Sequence, residues 1–301
     1  MADKVKVEKA ATKKLGIAGV LSLAWMTFVS LVAFLAPWLP FDDYATSHLE
    51  ALKVGPFIAP GFPLGGDQRG VDMVDKLVWG IRNSMMVALG AIALGFLLGG
   101  TAGLIAGYFK GKVDTVITGA MSMLLAIPQL VLAIALVAVL ASPYIGSDGM
   151  NQFPSNGRKM IVLIFALGVV TAPVVGRITR ANTLVWSQRD FVLAAKAQGA
   201  KNFRIIFREV LPNVAPAMFS IALLGIAVIM VAEAGISFAG AGLPADVPSL
   251  GNIIVGGQSL LLLGTPHIVF EPVIVIFLTV TSLNFLGDIV RARFDVREAA
   301  V

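Results

Sequence analysis

The sequence predicts an all-α, polytopic membrane protein of about six transmembrane helices, with both termini in the cytoplasm. Three observations predict it: the composition, six apolar runs of spanning length, and the placement of the basic residues. Of the 301 residues, 57% are hydrophobic and only 14% are charged, with a mean hydropathy of +0.87. A soluble domain carries roughly 25% charged residues. A water-soluble chain this apolar would have to hide more surface than its volume allows.

A helix needs about 20 apolar residues to cross the hydrocarbon core. The runs fall at 15–36, 84–108, 113–140, 160–176, 214–237 and 268–290. The first follows Lys4, Lys6, Lys9, Lys13 and Lys14, like the charged start of a signal peptide. Its apolar stretch is longer than a usual signal core and no A-x-A site follows, so an uncleaved first helix is expected. In the second run Gly95, Gly99, Gly103 and Gly107 recur every four residues. Such a stripe lets a neighbouring helix approach closely. The third run is long enough to tilt or break near Pro128, whose missing N–H disrupts the helical ladder.

The expected organisation is a basic N-terminus (1–14), the first helix (15–36) and an outside segment (37–83). A helical core (84–290) with a cytoplasmic insert at 177–212 follows, then a tail (291–301). Two further outside segments are expected, one with Gly146, Gly149 and Pro154, the other with Gly240, Gly242, Pro244 and Pro248. With the N-terminus inside, 17 of the 23 Lys and Arg residues fall on the cytoplasmic side. That bias sets the orientation. The pI near 9.6 therefore reads as topology, and nucleic acid is not needed to explain it.

Other chemistries are poorly supported. The chain has no cysteine, and its two histidines, His48 and His267, lie far apart, so no metal site is expected. Gly107–Lys112 is followed by Val113 and lacks the spacing of a nucleotide-binding glycine loop. No nucleophile–base–orienter set can be argued, so an enzymatic site is not expected.

The insert carries the functional signal. Asp190 is read as an N-cap, residues 194–198 as strong helix formers, and Gly199 as the residue just past the helix. Asn202 is read as the cap of a second short helix ended by Pro212. On it Phe203, Ile206, Phe207 and Val210 are expected to share one face, with Arg204 and Arg208 on another.

The pattern Ala194-Ala195-x-x-x-Gly199, nine residues, then x-x-Leu211-Pro212 resembles the EAA loop of bacterial ABC importer permeases. Leu193 stands where that consensus has Glu, and Glu209 where it often has Ile. Residues 233–252 resemble the segment after the fifth helix in the dipeptide/oligopeptide (peptide/nickel) subfamily, of the C-subunit type. Residues 63–72 and 284–288 with Arg291 resemble two other stretches of it. Leu250, where relatives often have Trp, and Ala239, where they often have Leu, depart from it. The likeness covers roughly residues 60–295.

The resemblance implies an ABC importer permease fold and a transport subunit of the bacterial inner membrane. Ala194, Ala195, Gly199, Arg204, Arg208, Leu211 and Pro212 would couple to the ATPase. It also implies a second homologous permease, two ATP-binding subunits and an extracytoplasmic substrate-binding protein, in contact with membrane lipid. ATP and Mg would be bound by the partners, with no cofactor on this chain. Di- or oligopeptides are the expected cargo. The same machinery serves nickel or another small solute in relatives, and a non-transport scaffold is the remote alternative.

The remaining polar residues carry paired readings. Glu233, near the outer end of the fifth helix, either lines the path or gate or braces the following loop. Asp67, Arg69 and Asp72 belong either to a binding-protein platform or to a solvated loop. Asp114 suits a helix N-terminus. Arg177 and Arg180 are expected to end the fourth helix, and Asn284 and Asp288 to bridge helices or the lipid boundary.

Overall fold

Hydrocarbon offers no hydrogen-bond partner to a peptide group, so a chain of this composition is driven into long helices that satisfy their own backbone. The structure, a computed structural model, describes residues 16–41, 44, 46–145, 151–152 and 155–298. The five N-terminal lysines, Gly146, Gly149 and Pro154 lie outside the described residues.

The helices are α1 (Ile17–Leu35), α2 (Met73–Phe109), α3 (Gly111–Ala126), α4 (Gln129–Leu140), α5 (Asn156–Trp186), α6 (Asp190–Ala197), α7 (Asn202–Phe238), α8 (Leu250–Gly257) and α9 (His267–Glu298). A two-residue antiparallel ladder, Tyr144–Ile145 with Asn151–Gln152, lies between α4 and α5. Among the described residues, α1, α2, α5, α7 and α9 are long and apolar enough to cross a membrane. The pair α3–α4 makes a sixth candidate span, bent by 88°. The bend falls at Ile127, held extended before Pro128 because the proline ring excludes the helical conformation from the residue ahead of it.

α2 and α5 form the central pair, α9 packs on α7, and α1 lies across α9 and α2. The glycine stripe of α2 faces α5. A Cβ at Gly99 would overlap the Ala172 carbonyl, and one at Gly103 would overlap that of Gly176. A Cβ at Gly107 would come within 2.7 Å of Thr183 Cβ, and one at Gly95 within 3.3 Å of Thr171 Cγ2. Backbone thus lies on backbone along the lower half of α2.

Several helices are longer than the apolar runs. α2 begins at Met73 rather than near residue 84, because Asp72 Oδ1 accepts the Val74 N–H at 2.8 Å and caps it. Asp75 and Asn83, both within this added stretch, are buried. α5 continues ten residues past Gly176 to Trp186. Arg180 does not end it, because its guanidinium pairs with Asp114 on α3. Arg177 also stays helical, donating to Ser122 Oγ at 2.9 Å. Asp114 therefore bridges two helices, besides sitting in the first turn of its own.

α9 continues into the expected tail. Asn284 bonds its own helix, at the Val280 carbonyl, rather than another. Pro212 does not end the insert's second helix either: α7 runs unbroken from Asn202 to Phe238. A π-helical turn at Ile205–Val210 precedes the proline. The wider turn relaxes the ladder where Pro212 lacks a donor and crowds the carbonyl four residues back.

Replacing Gly99 by Leu should force α2 and α5 apart and lower the melting temperature in detergent, at a cost of about 1–3 kcal/mol. Gly119 on α3 has open space around it, so Gly119→Leu should leave the melting temperature nearly unchanged. Thermal unfolding followed by size-exclusion fluorescence reads both.

Candidate functional site

The insert is a small packed unit attached to one end of the bundle. Val192 of α6 and Ile205, Ile206, Val210 and Val214 of α7 are buried with Leu104 and Tyr108 of α2. Polar contacts lock the join: Tyr108 Oη donates to Asn202 Oδ1 at 2.9 Å, and the Lys196 ammonium lies 5.2 Å from the Tyr108 ring centroid. Neither anchor was legible, since Tyr108 and Asn202 are 94 residues apart and ordinary in type.

The caps differ by one residue from the expectation. Arg189 and Lys201, extended, precede α6 and α7 without a side-chain cap, and Asp190 and Asn202 are the first helical residues. The exit of α6 is a Schellman turn. Ala200 N–H reaches the Ala195 carbonyl at 3.0 Å and Gly199 N–H that of Lys196 at 2.9 Å. Gly199 sits at φ +79 with nothing within 4 Å of a Cβ position. It is required by conformation, not by crowding.

The expected apolar stripe divides. Ile206 and Val210 are buried, together with Ile205, whereas Phe203 and Phe207 point outward, 73% and 52% exposed. Their rings pack against each other, tilted by 38°, with centroids 4.4 Å apart. The π turn breaks the 3.6-residue period on which the single-face reading relied. Arg204, Arg208, Ala194 and Pro212 are exposed, while Ala195 and Leu211 pack on the insert's core. The insert therefore presents an aromatic pair, a small-residue helix and two arginines on its free surface, the composition of a docking face.

Glu233 lies elsewhere, fully buried between α2, α7 and the start of α8. Its Oε1 accepts from Ser237 at 2.9 Å and Ser249 at 2.8 Å, and its Oε2 accepts from Ser84 at 3.1 Å. Ser84 Oγ in turn accepts the Leu250 N–H, and Ser249 Oγ caps α8 at Asn252. The carboxylate faces three hydroxyls rather than an open route. These three bonds are the contacts that the bracing reading expects. Ser84 and Ser249 were missed because serine is ordinary in type and they lie 149 and 16 residues from Glu233.

At the end of α2 away from the insert, Asp67 is buried, not solvated. It accepts the N–H groups of Arg69 at 2.7 Å and Val71 at 2.9 Å and pairs with Lys76. Burial pushes its carboxyl up, but the Lys76 ammonium and the two N–H groups outweigh that and hold it below its ordinary value. Asp67 thus organises the loop, Asp72 caps α2, and of the three expected contact residues only Arg69 reaches outward.

Five candidate spans and a sixth, bent pair, with a folded insert at one end, are the architecture of a polytopic membrane protein. Residues 99–299 match the family described as binding-protein-dependent transport system inner membrane component, and the chain belongs to that family. It is 32% identical to the dipeptide transport system permease DppC of Alkalihalophilus pseudofirmus, over 94% of this chain and 86% of that one. It is 30% identical to the glutathione transport system permease GsiD of Pectobacterium atrosepticum, over 89% and 84%. The inward-facing MetNI methionine ABC transporter shares the fold, with a TM-score of 0.56 at 20% identity over 73% of this chain and 97% of that one. The chain is thus a transport subunit and not an enzyme; it works with ATP-binding subunits and a substrate-binding protein.

Two outcomes follow. Glu233→Ala leaves three buried hydroxyls without their acceptor and should cost about 1–3 kcal/mol, read as a lower melting temperature. Asp67 has a depressed folded pKa. Its stabilisation is therefore fully present above the unfolded value of about 3.9 and is lost as pH falls through the lower folded value. Proteolysis of the 46–72 segment should accelerate over that acid window, and Asp67→Asn should abolish the pH dependence.

Proposed function

We propose that this chain is the membrane permease subunit of an ATP-driven importer for di- or oligopeptides. It lies in a bacterial inner membrane with both termini cytoplasmic, the orientation favoured by its basic residues. A second homologous permease, two ATP-binding subunits that carry ATP and Mg, and an extracytoplasmic binding protein complete the assembly. The peptide reading rests on the cargo named for the relatives, dipeptide in one and glutathione in another. Glutathione is itself a tripeptide, so the two cargoes agree in class.

The observation that carries the reading is the free surface of the insert. Gly199 ends α6 in a left-handed turn, and the turn brings α6 against the start of α7, where Phe203, Phe207, Arg204 and Arg208 stand exposed. The ATPase docks on that surface. Because the insert is packed on Tyr108 and Leu104 of α2, movement of the ATPase pair is passed to the bundle as a two-state swing between inward and outward access. Ala194, Ala195, Gly199, Leu211 and Pro212 shape the docking unit.

Gly199→Arg places a β-carbon in a left-handed conformation and a long cation on the docking face. Purified in mild detergent, the wild type should bring ATPase subunits with it, and the variant should retain less than about a tenth as many, a change of about 1.4 kcal/mol or more. ATPases absent from an intact wild type would overturn the importer reading. Uptake of a labelled dipeptide, competed by unlabelled peptides, tests the cargo.

A further inference from the structure

α2 changes helical form at Phe96–Gly100, a single π turn between two α-helical stretches. A π turn draws carbonyls out of the regular ladder, and the Thr101 hydroxyl takes up two of them, donating to the Leu97 and Leu98 carbonyls. α5 has a weak point of its own: Pro173 stands inside it and offers no N–H to the carbonyl four residues back. α7 likewise carries Pro216 within its length, after the π turn that precedes Pro212.

These interruptions lie at one level of the bundle. A Cβ at Gly99 would overlap the carbonyl of Ala172, the residue before Pro173. One at Gly100 would come within 3.0 Å of Met218 Cε on α7, two residues past Pro216. One at Gly176 would overlap Met121 Cε on α3 and come within 3.0 Å of the Gly99 carbonyl oxygen. Two methionines therefore fill this level, and an unbranched thioether repacks more readily than any branched side chain.

On the insert's side of this level the helices are locked together. Gly103 lies on the Gly176 carbonyl, Gly107 comes against Thr183, and Asp114 pairs with Arg180. α5 leads directly into the insert, which packs back on Leu104 and Tyr108. On the other side, Ile164 lies against Gly90 and Leu94 against Gly168, while Glu233 and its serines tie α2 to α7 and α8. Each side is braced within itself. Along α2, α5 and α7 the two are joined through a π turn or a proline, where bending costs a helix least.

We propose that Phe96–Gly100 of α2, Pro173 of α5 and Pro216 of α7 form one hinge, about which the insert and the adjoining helix halves, 101–109 and 174–186, turn as a single body. On the importer reading above, on which this rests, the swing bends across one level of the bundle rather than at the insert's own loops. The Gly99–Ala172 contact is the fulcrum, since backbones that already touch can change angle without changing distance. Met121 and Met218 repack as the angle changes. From Pro173 to Trp186 the moving arm of α5 is about 20 Å long, so a turn of about 20° carries its end about 7 Å.

The test uses the whole importer in lipid nanodiscs, with spin labels on pairs of introduced cysteines; this chain has none of its own, and those of the partners are replaced. Val185→Cys with Phe285→Cys, both at exposed positions, spans the hinge, because α9 is held to α7 beyond it by the bond from Ser220 to the Gly287 carbonyl. Phe109→Cys with Val185→Cys lies within the moving body. Between the nucleotide-free and vanadate-trapped states the first distance should shift by about 4–7 Å while the second stays fixed. Pro173→Ala, which returns the missing N–H, should reduce that shift by about half or more. A fixed first distance in an importer that hydrolyses ATP, movement of the second, or a full shift in an intact Pro173→Ala assembly would overturn the hinge and leave the importer standing. If the purified assembly contains no ATPase, the importer reading falls and the hinge with it.

Discussion

The close approach of α2 to α5 is the contact on which the rest of the structure depends. In a bilayer the lipid tails are as apolar as leucine, so helices are not driven together by escape from water. They associate through dispersion contacts that fall off within an ångström, and those contacts need backbones that nearly touch. Gly99 and Gly103 provide this by lying directly on the carbonyls of Ala172 and Gly176. With α2 and α5 fixed, Asp114 and Arg180 can close α3 onto α5, and Tyr108 is held where the insert can pack on it.

α2 is also the member that joins the two ends of the molecule. At about 1.5 Å per residue its 37 residues span roughly 55 Å, well beyond the hydrocarbon thickness of about 30 Å. One end is capped by Asp72 beneath the folded 46–72 segment, and the other carries Tyr108 into the insert. The 46–72 segment and the insert are therefore attached to one continuous helix. Glu233 and its three serines tie the α8 region to the same helix through Ser84.

How much of this was legible depended on the range of the interaction. Apolar runs, the break at Pro128 and the left-handed exit at Gly199 are local, and the residues involved announce them. The helix ends beyond the apolar runs were not legible, because the polar residues that suggested an end are satisfied by distant partners: Arg180 by Asp114, Asn83 by the Pro248 carbonyl. The same holds for Asp67, read as part of a platform or a solvated loop, and for Glu233, whose two readings the sequence left open; both are buried as hubs of hydrogen bonds. Phe203 and Phe207 failed for a different reason, a change of helical period that no propensity scale registers.

That change of period bears on how the insert tolerates altered length. A π turn is equivalent to one extra residue accommodated within a continuous helix, and each residue turns an α-helix by about 100°. Deleting one residue after Phe207, within 208–210, would restore a regular helix and keep every membrane-facing position of α7 in place, while rotating the aromatic pair to another compass bearing around the helix axis. The span and its terminal aromatics are thus separately adjustable: substitutions in the span alter packing, whereas the residue count in this single turn sets the direction in which the pair is aimed.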